Sequence, residues 1–174
     1  MKLIVLVLLL NIFTFASSIV ISENFQANFN QKITNPKKKV IAYSGRVYFS
    51  EQSKLKWEYL KPTKKEVCTN GLELTVVDHD LEQVSEYRIN KGFNLSEILK
   101  KAKFHKKNIY VAKYNGKKYT IQVDKHNRLE AVAYFDDLDN KVQIGFTRVK
   151  YGKGKLSRKK MTCSYPSSYD IIRG

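Results

Sequence analysis

The sequence predicts a mainly β chain with two or three short helices, most of it one curved antiparallel sheet of about ten strands. Three observations carry that prediction. Apolar and polar residues alternate with a period of two through most of the chain. Asn-Gly pairs join successive alternating runs. Only two stretches place apolar residues at helical spacing.

The chain opens with Met1-Lys2 and an apolar run from Leu3 to Phe15, followed by the small residues Ala16, Ser17 and Ser18. A run of about 13 apolar residues falls short of the roughly 20 that a membrane-spanning helix needs. Residues 1–18 are therefore expected to be a secretory signal cut before Ile19, with a retained anchor as the alternative. No cysteine follows directly after the cut, so the mature chain is not expected to be lipidated. Residues 19–174, about 156 of them, suit a single soluble domain with a core large enough to stand without staples.

Ser22 to Gln31 carries Phe25 and Phe29 at i, i+4 behind Ser22 as N-cap, which predicts a short first helix. The period then changes to two. Gly45, Val47 and Phe49 share one face of a strand over Ser44–Ser50, and Leu55, Trp57 and Tyr59 alternate with Lys54, Lys56 and Glu58. The second pattern is that of a half-buried strand with charge on its solvent side. Asn70-Gly71 and Asn115-Gly116 each predict a type I′ hairpin, and looser turns are expected at 78–80, 124–127 and 137–140. Leu95, Ile98, Leu99 and Ala102 behind Asn94 predict a second helix. Strands over 81–89, 128–136 and 141–151 follow from alternation, with a last one near 156–164.

Such a meander hides its apolar face by stacking on a second sheet, or by curling on itself and being plugged. Two short helices cover little of a flat sheet but fill the mouth of a partly closed barrel. A barrel of this size encloses a ligand-sized interior unless large side chains fill it. A solid core is the alternative that the residues alone leave open.

Catalytic constellations are missing from the pattern. His79, His105 and His126 are far apart and lack metal-ligand spacing. Gly-x-Ser-x-Gly, phosphate-loop and Cys-x-x-Cys motifs are absent, and the cluster Asp136, Asp137 and Asp139 sits where a turn is expected. No enzyme activity, metal or cofactor is expected. Cys68 and Cys163, the only cysteines, either pair in an oxidising compartment or are buried separately. The formal charge of +16 invites a nucleic-acid reading, yet only 6 of the 32 basic residues are arginine, the side chain suited to bidentate phosphate and guanine contacts. The lysines are scattered in short clusters such as Lys37-Lys38-Lys39 and Lys159-Lys160, where solubility and edge protection suffice. No nucleic-acid partner is expected, and the chain is expected to be a monomer.

With these elements placed, a family resemblance covers nearly the whole mature chain. Phe25-x-x-x-Phe29-x-Gln31-Lys32, Ser44-Gly45-x-Val47-x-Phe49 and Leu55-x-Trp57-x-Tyr59-x-x-Pro62 occur in the order seen in the outer-membrane lipoprotein carrier (LolA) family. So do Asn70-Gly71-x-x-Leu74, Leu81-Glu82-Gln83-Val84, Leu95-x-x-Ile98-Leu99 and the closing Tyr165-Pro166 to Asp170-Ile171-Ile172. The resemblance implies an incomplete antiparallel β-barrel with a helical lid over an apolar cavity. It implies a periplasmic carrier that takes acylated lipoproteins from an inner-membrane ABC-type lipoprotein-releasing complex to an outer-membrane lipoprotein receptor. Another periplasmic lipid-binding or sensor module on the same scaffold is the alternative, and a basic polyanion binder a more distant one. In the carrier reading Val47, Phe49, Leu55, Trp57, Tyr59, Leu74 and Val76 line the cavity, and Phe25, Phe29, Leu95, Ile98 and Leu99 form the lid. Glu51 stands where the family carries an arginine that latches the lid, so a latch of reversed polarity is expected, with Lys100 or Lys101 reaching Glu51.

Overall fold

A computed structural model of the chain describes residues 18–51, 53–89 and 94–174. Residues 1–17, nearly all of the expected signal segment, lie outside the described residues. In chain order the elements are β1 (Asn24–Thr34), β2 (Val40–Ser50), β3 (Lys54–Lys61), β4 (Lys65–Thr69), β5 (Glu73–Asp78), β6 (Gln83–Arg88) and α1 (Leu95–Lys100). They continue with β7 (Lys103–Lys106), β8 (Ile109–Tyr114), β9 (Lys117–Val123), β10 (Leu129–Phe135), β11 (Lys141–Gly152), α2 (Arg158–Met161) and β12 (Asp170–Arg173).

All twelve strands belong to one sheet, ordered β12-β6-β5-β4-β3-β2-β1-β11-β10-β9-β8-β7. From β1 the sheet grows in two wings, β2 to β6 on one side and β11 back to β7 on the other. Each neighbouring pair is antiparallel except β12 on β6, which is parallel. The outer strands β7 and β12 do not pair with each other, so the curved sheet stays open.

The first helix predicted from Phe25 and Phe29 is instead β1. Phe25, Ala27, Phe29, Gln31 and Ile33 also recur with period two, and a short apolar stripe at i, i+4 satisfies both periods. Long partners decide between them: β1 pairs along its length with β2 on one side and β11 on the other. The expected final strand near 156–164 is corrected as well. That stretch contains α2, and the last strand is β12, placed against β6 through the register Asp170↔Gln83 to Arg173↔Glu86. Arg158-Lys159-Lys160 has no alternation to hold a strand, and Cys163 is bridged to Cys68 on β4. The Asn115-Gly116 turn has positive φ at both residues, as a type I′ hairpin requires. At Asn70-Gly71 only Gly71 does; there the Asn70 side chain accepts from the amides of Leu72 and Glu73 and closes a different turn.

The two faces of the sheet are both covered, by different means. On the concave face α1 contributes Leu95, Ile98 and Leu99, all buried, to a core with Phe25, Phe29, Val47, Phe49 and residues of β8 to β11. On the convex face, the segment after β11 lies over Tyr48, Lys56 and Cys68. Lys160 bonds Gln26 and sits over the Tyr48 ring, and Cys163 is joined to Cys68. Lys56, read from the sequence as a solvent-side residue, is 4% exposed and donates to the Thr162 carbonyl at 2.9 Å.

Candidate functional site: an apolar cavity on the concave face

Alternation builds the site. Phe25, Phe49, Leu55, Thr69 and Leu74 are consecutive cross-strand partners on β1 to β5, so they form one row of the concave face. Val47, Trp57, Val67 and Val76 form the next row. Directly opposite partners stand within about 5.5 Å, close enough for side chains to pack along a row. Gly45 allows the sheet to close up beneath them. A Cβ there would lie 1.8 Å from the Glu58 carbonyl oxygen and 2.9 Å from the Phe29 ring. Phe29, 1% exposed, then packs edge-on under Trp57 and Tyr59 at centroid distances of 4.7 Å and 5.1 Å.

A cavity of about 340 Å³ opens above this floor. That volume is at the lower end of the range of small-molecule sites, about 300 Å³ to 1,000 Å³. Four of the seven residues expected to line it do so: Leu55, Trp57, Tyr59 and Leu74. Val47 and Phe49 are instead packed in the core, and Val76 is half-buried on the same face but outside the lining. Of the five residues expected as lid, Phe25 and Leu95 line the cavity; Phe29 is its floor, and Ile98 and Leu99 are buried beside it. Phe25 and Phe29 are strand residues and therefore part of the wall.

The far wall was missed. Val132 and Tyr134 of β10 and Ile144 and Phe146 of β11 line the cavity, together with Gln31, Val67 and Ile89. Their signal was the same alternation in residues 128–136 and 141–151. What the sequence lacked was the pairing of β11 with β1, which brings strands more than a hundred residues apart into one row.

The lid element is short. Asn94 caps α1 by accepting from the Glu97 amide at 3.1 Å, and Glu97 pairs with Lys100 at 3.4 Å. Glu51 does not meet Lys100 or Lys101. It pairs with Lys54 at 3.0 Å and Lys155 at 3.3 Å on the opposite side of the sheet, and the Lys54 contact is the main reason its carboxyl is held below the usual range. Lys101 lies over the Tyr114 ring. The reason is topological: Glu51 ends β2 beside the segment that follows β11, whereas α1 packs against β8. The expected latch at Glu51 is therefore corrected, and it fastens the convex-face segment.

Burial pushes the Tyr59 and Tyr134 phenols up to about 12, so both hydroxyls stay protonated in the cavity wall. The one grouping of metal-ligand types among the described residues, Glu66 with Cys68 and Cys163, has its two sulfurs bonded to each other. Among the described residues no helix is long and apolar enough to cross a membrane.

Residues 21–160 match the family model described as outer membrane lipoprotein carrier protein LolA. The chain is 34% identical to the outer-membrane lipoprotein carrier protein of Campylobacter jejuni, over 86% of each chain. It is 30% identical to the protein of the same name from Helicobacter hepaticus, over 86% of this chain and 83% of that one. Among solved structures, an uncharacterized conserved protein from Thermus thermophilus superposes with a TM-score of 0.57 at 15% identity. That match covers 88% of this chain and 92% of the other, and it speaks for the fold alone.

Proposed function

Because the chain belongs to the outer membrane lipoprotein carrier protein LolA family, we propose that it is a periplasmic chaperone that shelters the acyl chains of lipoproteins in its concave cavity. One observation carries the reading. The cavity is walled by aliphatic and aromatic side chains from both wings of the sheet and is roofed by a helix of only six residues. Each methylene left in water costs about 0.8 kcal/mol, so an acyl chain of some 15 carbons does not leave a membrane unaided.

The same geometry favours release. Leu95 occupies space beside the cavity and its helix neighbours Ile98 and Leu99 are buried in the core, so incoming acyl chains compete with the protein's own side chains. That competition subtracts from affinity and lets the cargo run downhill to a receptor that holds it more tightly. In this reading the cargo is loaded by an inner-membrane ABC-type releasing complex and delivered to an outer-membrane lipoprotein receptor. The chain does no chemistry on it.

Depletion of the protein followed by membrane fractionation tests the proposal. Outer-membrane lipoproteins accumulating at the inner membrane are the expected result. Normal sorting after depletion overturns it. Purified protein carrying free lipid but never lipoprotein would point to a different lipid carrier on this scaffold.

A further inference from the structure

Gln31 is out of place in an apolar cavity. It is 9% exposed, it lines the cavity, and its side-chain amide makes no hydrogen bond among the described residues. Other buried polar groups of the sheet are satisfied: the Asn24 amide donates to the Lys153 and Gly154 carbonyls, Ser50 accepts from the Leu156 amide, and Lys56 donates to Thr162. A leucine at position 31 would suit a pocket for hydrocarbon alone, because cargo that displaces water from an amide and leaves it without a partner binds less tightly.

The surroundings of Gln31 define what partner it lacks. By register it stands between Tyr43 on β2 and Ile144 on β11, with Tyr59 and Tyr134 lining the cavity on either side. Tyr59 meets the Tyr43 ring edge-on at 5.6 Å. Both cavity phenols are neutral hydroxyls at any physiological pH. A primary amide offers two N–H donors and each hydroxyl one more, so the cluster is rich in donors and has no ionised group. The matching ligand atom is an uncharged acceptor that enters with a hydrocarbon chain.

We propose that the Gln31 amide donates a hydrogen bond to the carbonyl oxygen of an acyl linkage, so that the cavity recognises the head of the acyl chain as well as its length. The proposal rests on the carrier reading and adds a specificity-determining residue to it. Dialkyl chains of equal length bring no carbonyl and leave the amide unpaired, as does bare hydrocarbon.

Three probes test it against the purified full mature chain: a diacylglyceryl-cysteine lipopeptide, its dialkyl-ether analogue, and a diacyl phospholipid. The wild-type protein should bind the ester lipopeptide about tenfold more tightly than the ether, the worth of one buried hydrogen bond. Gln31→Met should weaken ester binding by about that factor and remove the preference, the ether binding at least as tightly as it does to the wild type. Equal wild-type affinity for ester and ether overturns the assignment without need of any variant, and so does an undiminished preference in Gln31→Met or, should that variant misfold, in Gln31→Leu. The carrier reading fails separately. If neither lipopeptide binds, both ideas fall; if the phospholipid outcompetes the lipopeptide while the Gln31 dependence persists, only the carrier reading falls.

Discussion

Removing the Lys56 ammonium would strand Glu66, 3.0 Å away beneath the convex-face segment, and leave Glu58, 3.6 Å away, with only the more exposed Arg46 at 3.8 Å as its cation. Lys56→Met should destabilise the protein by about 3 kcal/mol, because breaking a buried ion pair strands the remaining charge. Denaturant titration checks the magnitude, and faster amide exchange around Thr162 checks the place. The residue was illegible in the sequence. Strand alternation correctly put Lys56 opposite Trp57, but the carbonyl it bonds is 106 positions away. A second residue-scale expectation concerns Asp124. Its side chain bonds the Arg128 guanidinium, the largest effect on it, and accepts from the His126 and Arg128 amides. The carboxyl is held down at about 2. A depressed carboxyl adds stability that is present above its unfolded value and is lost as pH falls through its folded one, so this turn loosens between roughly pH 4 and pH 2. Carbon-detected NMR titration should find the midpoint near 2 in the wild type and shifted upward in Arg128→Ala, still short of the ordinary aspartate range because the two backbone amides remain.

At the scale of elements, β3 to β5 and β8 to β11 were legible because alternation and turn residues agreed along each of them. The β1 strand was not, since Phe25 and Phe29 suit either period and only its two long neighbours decide. The α1 helix was legible from Asn94 and the spacing of Leu95, Ile98 and Leu99, yet its fastening was not, because the core those three side chains enter is built from strands distant in sequence. With six residues the helix draws little from propagation and depends on packing and on its cap. Loss of the capping oxygen in Asn94→Ala should weaken α1 by about 1 kcal/mol. In the carrier reading the weaker roof competes less with cargo. Hydrogen exchange should therefore quicken at α1 by about fivefold, and lipopeptide should bind more tightly and transfer more slowly. Unchanged transfer alongside faster exchange would show that α1 does not gate the cavity.

For the whole molecule, one open sheet is covered on its two faces by unlike means: a short helix packed by apolar contact inside, and a covalently tied strap outside. The Cys68–Cys163 bridge closes 95 positions of chain, a loop length for which chain entropy gives roughly 4.7 kcal/mol of stabilisation. Reduction, or Cys68→Ser with Cys163→Ser, should lower Tm by about 10 °C. It should release β12 and the strap before the sheet melts. The sequence left the bridge open because nothing local shows that β4 and the strap meet. The claim on which the functional reading depends is that acyl cargo lies inside the concave face. A photo-crosslinking amino acid at Leu74, in the cavity wall, compared with one at Leu138, 76% exposed in a remote turn, tests it in living cells. Lipoprotein adducts at Leu74 and few at Leu138 are the expected result. Adducts equal at both positions, or none from Leu74, would contradict it.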